Sequence, residues 1–253
     1  MLRILSLFKW VADEAYVKAS ASGELDLSFV EYKISDYDKN AIEEAVLLAE
    51  KYGGTVAVAT VGLPEDTKSI KDALSRGPEK AYFINDADFS GLEPSQTASL
   101  LAQAIAGRIE YDLIICGEGS ADLYAQQVGP RLADKLGIPC ICYVQKIEIQ
   151  DNTVVAERKT DEGVELVSCP LPLLVSVVPD INTPRIPGLR DTLAAGKKPV
   201  VYIEKSELNG DYSPRLQTIN ARASSIRRNV RKFSPDLSGI KEFVAEMKKL
   251  GIV

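Results

Sequence analysis

Residues 116–129 form the segment of this sequence best suited to hold a phosphate group. The segment reads Cys-Gly-Glu-Gly-Ser-Ala-Asp-Leu-Tyr-Ala-Gln-Gln-Val-Gly and lies between an expected strand and an expected helix. Small residues in such a turn let backbone amides approach an anion, and the start of a helix favours negative charge. The pattern is neither a Walker loop nor GxGxxG, so by itself it leaves open a glycine-rich turn without a ligand.

A second segment, residues 185–199, has features of a protein docking loop. It reads Arg-Ile-Pro-Gly-Leu-Arg-Asp-Thr-Leu-Ala-Ala-Gly-Lys-Lys-Pro, with leucines near proline and glycine and two lysines behind. An exposed apolar side chain in a rigid loop can anchor a partner, because its burial contributes ~1.5 to 3 kcal/mol. From these residues alone, an ordinary connection whose leucines face the core is the favoured interpretation.

The sequence contains no histidine, which excludes several kinds of chemistry. Serine–histidine and cysteine–histidine nucleophiles, a histidine general base and most transition-metal sites are ruled out. The four cysteines show no CxxC pair, so neither a disulfide framework nor a zinc site is expected. Glu43 and Glu44 are adjacent on an expected helix and point in different directions, so they are interpreted as surface charge. No catalytic or metal-binding residue is therefore assigned, and chemistry must come from a cofactor, a partner, or carboxylates and lysines.

The net charge of -6 and the pI near 5.0 argue against a nucleic-acid-binding surface, which needs a basic face. The apolar stretch at the amino terminus is too short for a secretory core. No segment approaches the ~20 apolar residues of a membrane span. These observations predict a soluble, cytoplasmic protein.

Strand and helix patterns alternate through the first half of the chain. Continuous apolar stretches predict strands at 2–8, 55–61, 81–84 and 111–116. Helical spacing predicts helices at 40–50, 66–76, 95–109 and 124–136, with Asp38 as the cap of the first. This alternation predicts an α/β fold with a doubly wound, mostly parallel sheet, whose ligands bind outside the carboxyl ends of the strands.

The pattern changes after Pro139. Period-two alternation predicts strands at 140–149, 153–159, 164–168 and 173–178, interpreted as an antiparallel extension with a tight turn at 151–152. Beyond residue 203 the composition is polar up to a short apolar helix that includes Ile240 and Leu250. A segment without a core is disordered or wraps a partner, so residues 204–253 are interpreted as a carboxyl-terminal arm.

Several segments together resemble the β subunit of electron-transfer flavoproteins. In the candidate phosphate loop and the helix after it, Asp122, Gln127, Gly129 and Pro139 match the family. Further matches are Arg158, Asp161, Glu165, Leu171, Pro172, Asn182, Pro184, Arg185, Lys197, Lys198 and Pro199. Segments 8–13 and 34–38 fit the first two loops of the family. The resemblance covers roughly residues 2–203, and segments 119–129 and 180–184 are most similar to the Fix-type bacterial branch.

The resemblance implies a site for each of the two candidate segments. Residues 1–203 are expected to form a nucleotide-binding domain of the adenine-nucleotide α-hydrolase-like type, including a recognition loop at 182–199. The pocket for AMP or a second FAD is expected to contain Leu7, Lys9, Asp13, Thr60, Asp122, Gln126, Gln127, Val128 and Gly129. Partner docking is expected at Leu189, Lys197 and Lys198. The arm is expected to pack on an α subunit, which holds most of the main FAD.

The implied function is that of an electron-carrier subunit in a heterodimer. With its α subunit it would shuttle electrons from flavin dehydrogenases, such as acyl-CoA dehydrogenases, to a quinone oxidoreductase or a reductase. The alternative is a bifurcating complex whose second FAD oxidises NADH. Leu123 and Tyr124 replace polar residues, and Ala156 and Leu173 depart from the bifurcating pattern, so the choice between AMP and FAD stays open. A stand-alone ATP-binding module of the universal-stress type is a third hypothesis, against which segment 158–199 argues.

Overall fold

A computed structural model describes residues 1–20, 22–210, 212–216, 218–223 and 230–253. The strands are β1 (Leu2–Leu7), β2 (Trp10–Ala12), β3 (Lys18–Ala19), β4 (Leu25–Asp26), β5 (Tyr32–Ile34), β6 (Gly54–Gly62), β7 (Lys80–Asn85), β8 (Leu113–Gly117), β9 (Cys140–Gln150), β10 (Thr153–Thr160), β11 (Gly163–Pro170), β12 (Leu173–Val177) and β13 (Val200–Glu204). The helices are α1 (Asp36–Tyr52), α2 (Thr67–Ser75), α3 (Pro94–Ile105), α4 (Val128–Leu136), α5 (Leu189–Ala195) and α6 (Leu237–Lys249).

In the described part of the chain, nine strands form one sheet in the order β11-β10-β9-β12-β8-β1-β6-β7-β13. All neighbouring pairs are parallel except the two pairs made by β10. The predicted doubly wound, mostly parallel α/β sheet is therefore confirmed. The predicted turn is confirmed as well, since residues 151–152 join β9 to β10 and Asp151 has a φ of 54°.

The antiparallel extension is smaller than predicted. β12 runs parallel to both of its neighbours, β8 and β9, so assigning it to the antiparallel part was wrong, whereas β9 pairs antiparallel with β10 as predicted. All five residues of β12 are buried, which is typical of a central parallel strand covered on both faces. Hydrophobic periodicity identifies a strand and its faces but does not record the direction in which the strand runs.

Helices cover both faces of the sheet. On one face, Leu5 and Leu7 of β1 belong to an apolar cluster with residues of α3 and α4. On the other face, Ile4 packs with α1, and a neighbouring cluster joins α1, α2 and α5. No helix within the described ranges is long and apolar enough to cross a membrane.

The chain divides into two compact units. The first contains residues 1–18 and 27–219, and the second contains residues 19–26 and 220–253. In the first unit, Leu208 is buried, and Tyr212 accepts a hydrogen bond from Gln96 at its carbonyl and donates one from its hydroxyl to Gln103. Through these contacts, the part of the chain after residue 203 packs on α3. The expected apolar helix is present in the second unit as α6, whereas residues 211, 217 and 224–229 of the expected arm lie outside the described residues.

Candidate functional site

The carboxyl ends of β1 and β8 mark the point at which the order of the sheet reverses. From β1 the sheet continues through β6 and β7 on one side and through β8 and β12 on the other. In open α/β sheets, ligands bind in the crevice at such a point. The chain after β1 contains Lys9, and the loop after β8 contains Asp122 and Gln126. The fold therefore places three residues of the expected pocket at this crevice.

The Asp38 carboxylate joins the two strand ends. One of its oxygens accepts a hydrogen bond from the backbone N–H of Lys9 at 2.8 Å, and the other accepts from the N–H of Gly117 at 3.1 Å. The prediction that Asp38 caps the first helix is wrong, because α1 begins at Asp36 and its N-cap is Ser35. Asp38 instead points from the first turn of α1 into the sheet, where it fixes the separation of the two loops.

Burial changes the protonation of Asp38. The residue is 6% exposed, and loss of solvent raises the pKa of its carboxyl group to about 7, despite the two backbone N–H donors, which act to lower it. Gly117 is required beside this group, because a Cβ at that position would lie 2.7 Å from a carboxylate oxygen of Asp38 and 2.8 Å from Cβ of Tyr37. The first turn of α1 thus packs directly on the end of β8.

Lys9 and Asp122 form an ion pair across the opening of the crevice. The Lys9 ammonium lies 2.5 Å from one oxygen of Asp122, and the Ser120 hydroxyl donates to the other oxygen at 2.5 Å. Burial acts to raise the pKa of Asp122, but the hydrogen bonds from Lys9 and Ser120 outweigh it and leave the pKa lowered. The carboxylate therefore stays ionised and holds the loop after β8 against the loop after β1.

The loop between β8 and α4 has an unusual backbone. Tyr124 and Gln126 have φ values of 45° and 56°, a region that residues other than glycine rarely adopt. The prediction of a helix from residue 124 is wrong, because α4 begins at Val128. The Tyr124 ring lies against Tyr37, with 5.1 Å between ring centroids. Such conformations persist where the surroundings hold them and are concentrated at functional sites.

The start of α4 can receive an anion. Its N-cap, Gln127, makes no side-chain capping hydrogen bond, and its first turn has no acidic residue. The amino-terminal amides of a helix without such a cap are available to a phosphate group. Gly129 in this turn lies over β8, since a Cβ there would come 3.0 Å from the sulfur of Cys116. This donor set fits a phosphate group.

The remaining pocket residues lie around this centre. Leu7 is buried at the end of β1. Thr60, near the end of β6, is buried, and its hydroxyl has no hydrogen-bond partner among the described residues. Asp13 lies 3.4 Å from the ammonium group of Lys33, on the neighbouring strand β5, and is directed to that pair. The structure therefore brings Lys9 and Asp122 into contact and gives Asp13 a partner outside the crevice.

The docking segment, residues 182–199, is held against α1 by an arginine. The backbone N–H and the guanidinium of Arg185 donate to both carboxylate oxygens of Glu43 at 2.8 to 3.1 Å, and the guanidinium also reaches Glu50 at 3.1 Å. Hydrogen bonding to Glu43 is the main cause that raises the pKa of Arg185. Glu43 is 5% exposed and Glu44 is 8% exposed, so the interpretation of both as surface charge is wrong.

A pair of asparagines completes this connection. The Asn40 amide donates to the carbonyl of Asn182 at 2.9 Å, and the Asn182 amide donates to the carbonyl of Asn40 and to Glu44, each at 3.0 Å. Burial raises the pKa of Glu44. Sequence reasoning missed Asn40, although Asn40, Glu43 and Glu44 have the three- and four-residue spacing of one helix face. Three polar residues at that spacing among buried alanines were the available signal.

The docking segment presents its apolar residues outward. Leu189, the first residue of α5, is 79% exposed, and Ile186 and Leu193 are 93% and 63% exposed. The interpretation of this segment as a connection whose leucines face the core is therefore wrong. Ala195 is buried against α2 and fixes the opposite side of the short helix. The exposed residues form an apolar patch on a segment held from behind.

The two expected docking lysines differ in their surroundings. Lys197 is exposed. The ammonium group of Lys198 donates to the carbonyls of Leu74 and Pro78, at 2.8 and 2.7 Å, near the end of α2. Burial lowers the pKa of Lys198. Lys198 therefore holds the base of the docking segment, whereas Lys197 is accessible.

Replacing Arg185 by alanine is expected to lower the free energy of unfolding by about 1 to 2 kcal/mol. This value lies between the effects of exposed and buried ion pairs, because the arginine is partly exposed and Glu43 is buried. Urea denaturation followed by circular dichroism measures the change. Arg190→Ala is the matched control, since Arg190 is an exposed arginine in the same segment. Equal stability of the two variants would contradict the role of Arg185 in holding the segment.

Comparison with known protein families agrees with this arrangement of fold and loops. The model of the electron transfer flavoprotein domain matches residues 26–208, which are most of the chain. The match contains the loop after β8, the start of α4 and the docking segment. The chain therefore belongs to the electron transfer flavoprotein family.

Proposed function

We propose that this chain is the β subunit of a heterodimeric electron-transfer flavoprotein of the Fix-type bacterial branch. One observation carries the proposal: α1 supports both candidate sites. Its first turn supplies Asp38, which joins the loops of the crevice. Its next two turns supply Asn40, Glu43 and Glu44, which hold the docking segment. A nucleotide site and a docking patch built on one helix suit a subunit that binds a cofactor and positions a donor protein.

The crevice is proposed to hold AMP or a second FAD. The amides at the start of α4 would receive a phosphate group, and the Lys9–Asp122 pair would close the opening beside it. Thr60 offers a buried hydroxyl without a partner among the described residues. A bound flavin supplies reversible one- and two-electron chemistry that no side chain of this chain provides. The residues of the chain bind and orient the nucleotide and exclude water from it.

The docking segment is proposed to receive flavin dehydrogenases such as acyl-CoA dehydrogenases. Leu189 projects from a short helix whose other side is fixed, so docking costs little loop ordering. Electrons would then pass from the donor to the flavin held mainly by an α subunit, and onward to a quinone oxidoreductase or a reductase. This chain supplies the scaffold and the contact surface for that transfer.

The second compact unit is proposed to pack on the α subunit. Within α6, apolar side chains at 237, 240, 243 and 244 are exposed in the described chain. The carboxylate of Asp236 caps the helix by accepting from the N–H groups of Ser238 and Gly239, each at 2.9 Å. A capped helix with an exposed apolar side can bury that side against a partner protein.

The nucleotide content of the purified heterodimer tests the proposed function. Co-expression with the α subunit, followed by denaturation and chromatography of released nucleotides, is expected to give one FAD and one AMP per heterodimer. Two FAD per heterodimer would support the bifurcating alternative. A complex without any nucleotide beyond the main FAD would contradict the assignment of the crevice.

A variant locates this second nucleotide. Asp122→Ala is expected to weaken retention of the second nucleotide about tenfold and to leave the main FAD unchanged. The variant removes the charge-assisted contact between Lys9 and Asp122, which contributes ~1.5 kcal/mol. Asp134→Ala, an exposed change on helix α4, which follows the loop that contains Asp122, is the control and is expected to retain both nucleotides.

A further inference from the structure

Two cysteines lie side by side on β9. The sulfurs of Cys140 and Cys142 are 3.6 Å apart, because residues two apart on a strand share a face. Ile141 between them is buried in the cluster on the opposite face. Both cysteines are partly exposed, whereas Cys116 behind them is buried. The pair is therefore accessible to a small reagent.

A bulge in β9 shapes the surroundings of Cys142. The pairing of β9 with β12 shifts next to this residue, and Tyr143 has a φ of 63°. The Tyr143 N–H donates to the hydroxyl oxygen of Ser176 at 3.3 Å. Because that oxygen accepts from Tyr143, its own proton is free to be donated to the Cys142 sulfur. The Ser176 hydroxyl and the Cys140 sulfur thus both act on the Cys142 sulfur.

The charges around Cys142 favour a thiolate. The groups that face it are Cys140 on its own strand, Cys116 on β8 and Arg158 on β10. The hydrogen bond from Cys140, followed by the Ser176 hydroxyl and the Arg158 guanidinium, lowers the pKa of the Cys142 thiol against the opposing effect of burial. Burial raises the pKa of Cys116. The Ser176 hydroxyl and the Arg158 guanidinium act on Cys142, so a negative charge on this pair is stabilised best at Cys142.

We propose that Cys140 and Cys142 form a reactive dithiol, with Cys142 as nucleophile and Cys140 as resolving thiol, which is oxidised reversibly by low-molecular-weight disulfides. The Cys142 thiolate attacks one sulfur of the small disulfide, whose S–S bond breaks and releases one small thiolate. Cys140 then loses its proton and attacks the Cys142 sulfur, which releases the second small thiolate. Two cysteine thiols are oxidised to one disulfide, and the small disulfide is reduced to two thiols.

The strand makes this disulfide easy to reduce. Two positions along a strand span roughly 6.6 Å between Cα atoms, which is near the upper limit for a disulfide. Closure therefore needs the strand to shorten, and a strained disulfide has a more oxidising potential. The bulge beside Cys142 is where the strand can bend. The product is a labile bond suited to reversible modification.

Oxidised glutathione is the probe for the test, used with the full-length chain at pH 6 and pH 8. Intact mass and peptide mapping are expected to show loss of two hydrogen atoms and a bond between residues 140 and 142. At pH 6 the wild-type chain is expected to react about tenfold faster than Cys142→Ser, since an ordinary thiol is almost fully protonated there. The advantage is expected to shrink at pH 8, where ordinary thiols also ionise.

Two further variants separate the roles of the cysteines. Cys140→Ser is expected to accumulate a glutathione adduct on Cys142 that is not resolved, and Cys169→Ser is expected to react as the wild-type chain does. Mapping of the unmutated chain makes the test independent of variant folding. Three results would overturn the proposal. They are labelling of Cys169 before the other cysteines, reaction of Cys142→Ser at the wild-type rate at pH 6, and no reaction of the folded chain.

Discussion

Replacing Leu189 by alanine is expected to lower the rate of electron transfer from a reduced donor dehydrogenase about ten- to one-hundredfold. The leucine is 79% exposed in this chain, so its burial in a partner pocket would contribute ~1.5 to 3 kcal/mol that alanine largely loses. Stopped-flow measurement of the second-order rate with an acyl-CoA dehydrogenase tests this. Flavin content, measured by absorbance, is expected to stay unchanged, because Leu189 is on α5 and the crevice loops follow β1 and β8.

Leu166→Ala is the matched control for Leu189→Ala. Leu166 lies on the edge strand β11 and is 73% exposed, so its replacement removes the same side chain from a different surface. The control is expected to transfer electrons at the wild-type rate. If Leu189→Ala and its control behave alike, the docking assignment of residues 182–199 is wrong, whereas the nucleotide assignment is unaffected.

The way in which residues 182–199 are held is the reason why we expect so large an effect from a single leucine. Arg185 and Asn182 fix the segment to α1, and Lys198 fixes its end to α2. A binding surface that is already ordered loses less conformational entropy on association. If Leu189 is buried in a donor protein as we propose, more of the free energy of that burial would therefore be expressed as affinity.

The central strands could be predicted from the sequence because each of them is a continuous stretch of apolar residues. β8 and β6 are continuous apolar stretches bounded by glycine or charged residues, and no partner strand is needed to identify them. The direction of β12 could not be predicted, because it depends on which strands lie alongside it. β12 is inserted between β8 and β9, a contact that joins residues 173–177 to 113–117.

The candidate site was predicted in part, and the failures share a physical cause. The structure brings Lys9 and Asp122 into contact, and their role in binding a nucleotide stays a prediction. Asp38 was predicted to cap a helix, and Glu43 and Glu44 were interpreted as surface charge. A carboxylate without a partner nearby in the sequence is expected to face solvent. Their partners lie far away in sequence: Gly117 for Asp38, Arg185 for Glu43 and Asn182 for Glu44. Burial of a charged group depends on such long-range partners, which local patterns do not contain.

The predicted start of α4 was wrong for a related reason. Residues 124–127 have helical composition, yet Tyr124 and Gln126 adopt left-handed backbone conformations. Contact of Tyr124 with Tyr37 and the Lys9–Asp122 pair hold this loop away from helical geometry. Tertiary contacts here override local propensity, as they commonly do at functional sites.

Replacing Asp38 by asparagine is expected to change the pH dependence of stability by about 3 to 4 kcal/mol between pH 4 and pH 8. The pKa of Asp38 is raised to about 7 in the folded chain and lies near 3.9 in the unfolded chain. The unfolded chain therefore releases this proton first, and the wild-type chain loses stability as the pH rises between those two values. The asparagine variant has no charge to bury, so it gains stability relative to the wild-type chain over the same interval.

The variant also loses one hydrogen bond, because the asparagine NH₂ group would face one of the two N–H donors of Lys9 and Gly117. That loss of about 1 kcal/mol is independent of pH and leaves the slope intact. Asp36→Asn provides the control, because its difference from the wild-type chain is expected to stay nearly constant above about pH 5. Burial acts to raise the pKa of Asp36, but the ammonium groups of Lys39 and Lys33 lower it, so its ionised form stabilises the folded chain above the pKa of the unfolded state. Urea denaturation of the three chains from pH 4 to pH 8 measures how the stability of each variant relative to the wild-type chain changes with pH. A difference between Asp38→Asn and the wild-type chain that stays constant with pH would mean that Asp38 is ionised throughout this range. The two loops of the crevice would then be joined by a permanent charge rather than by a carboxyl group that gains and loses its proton near neutrality.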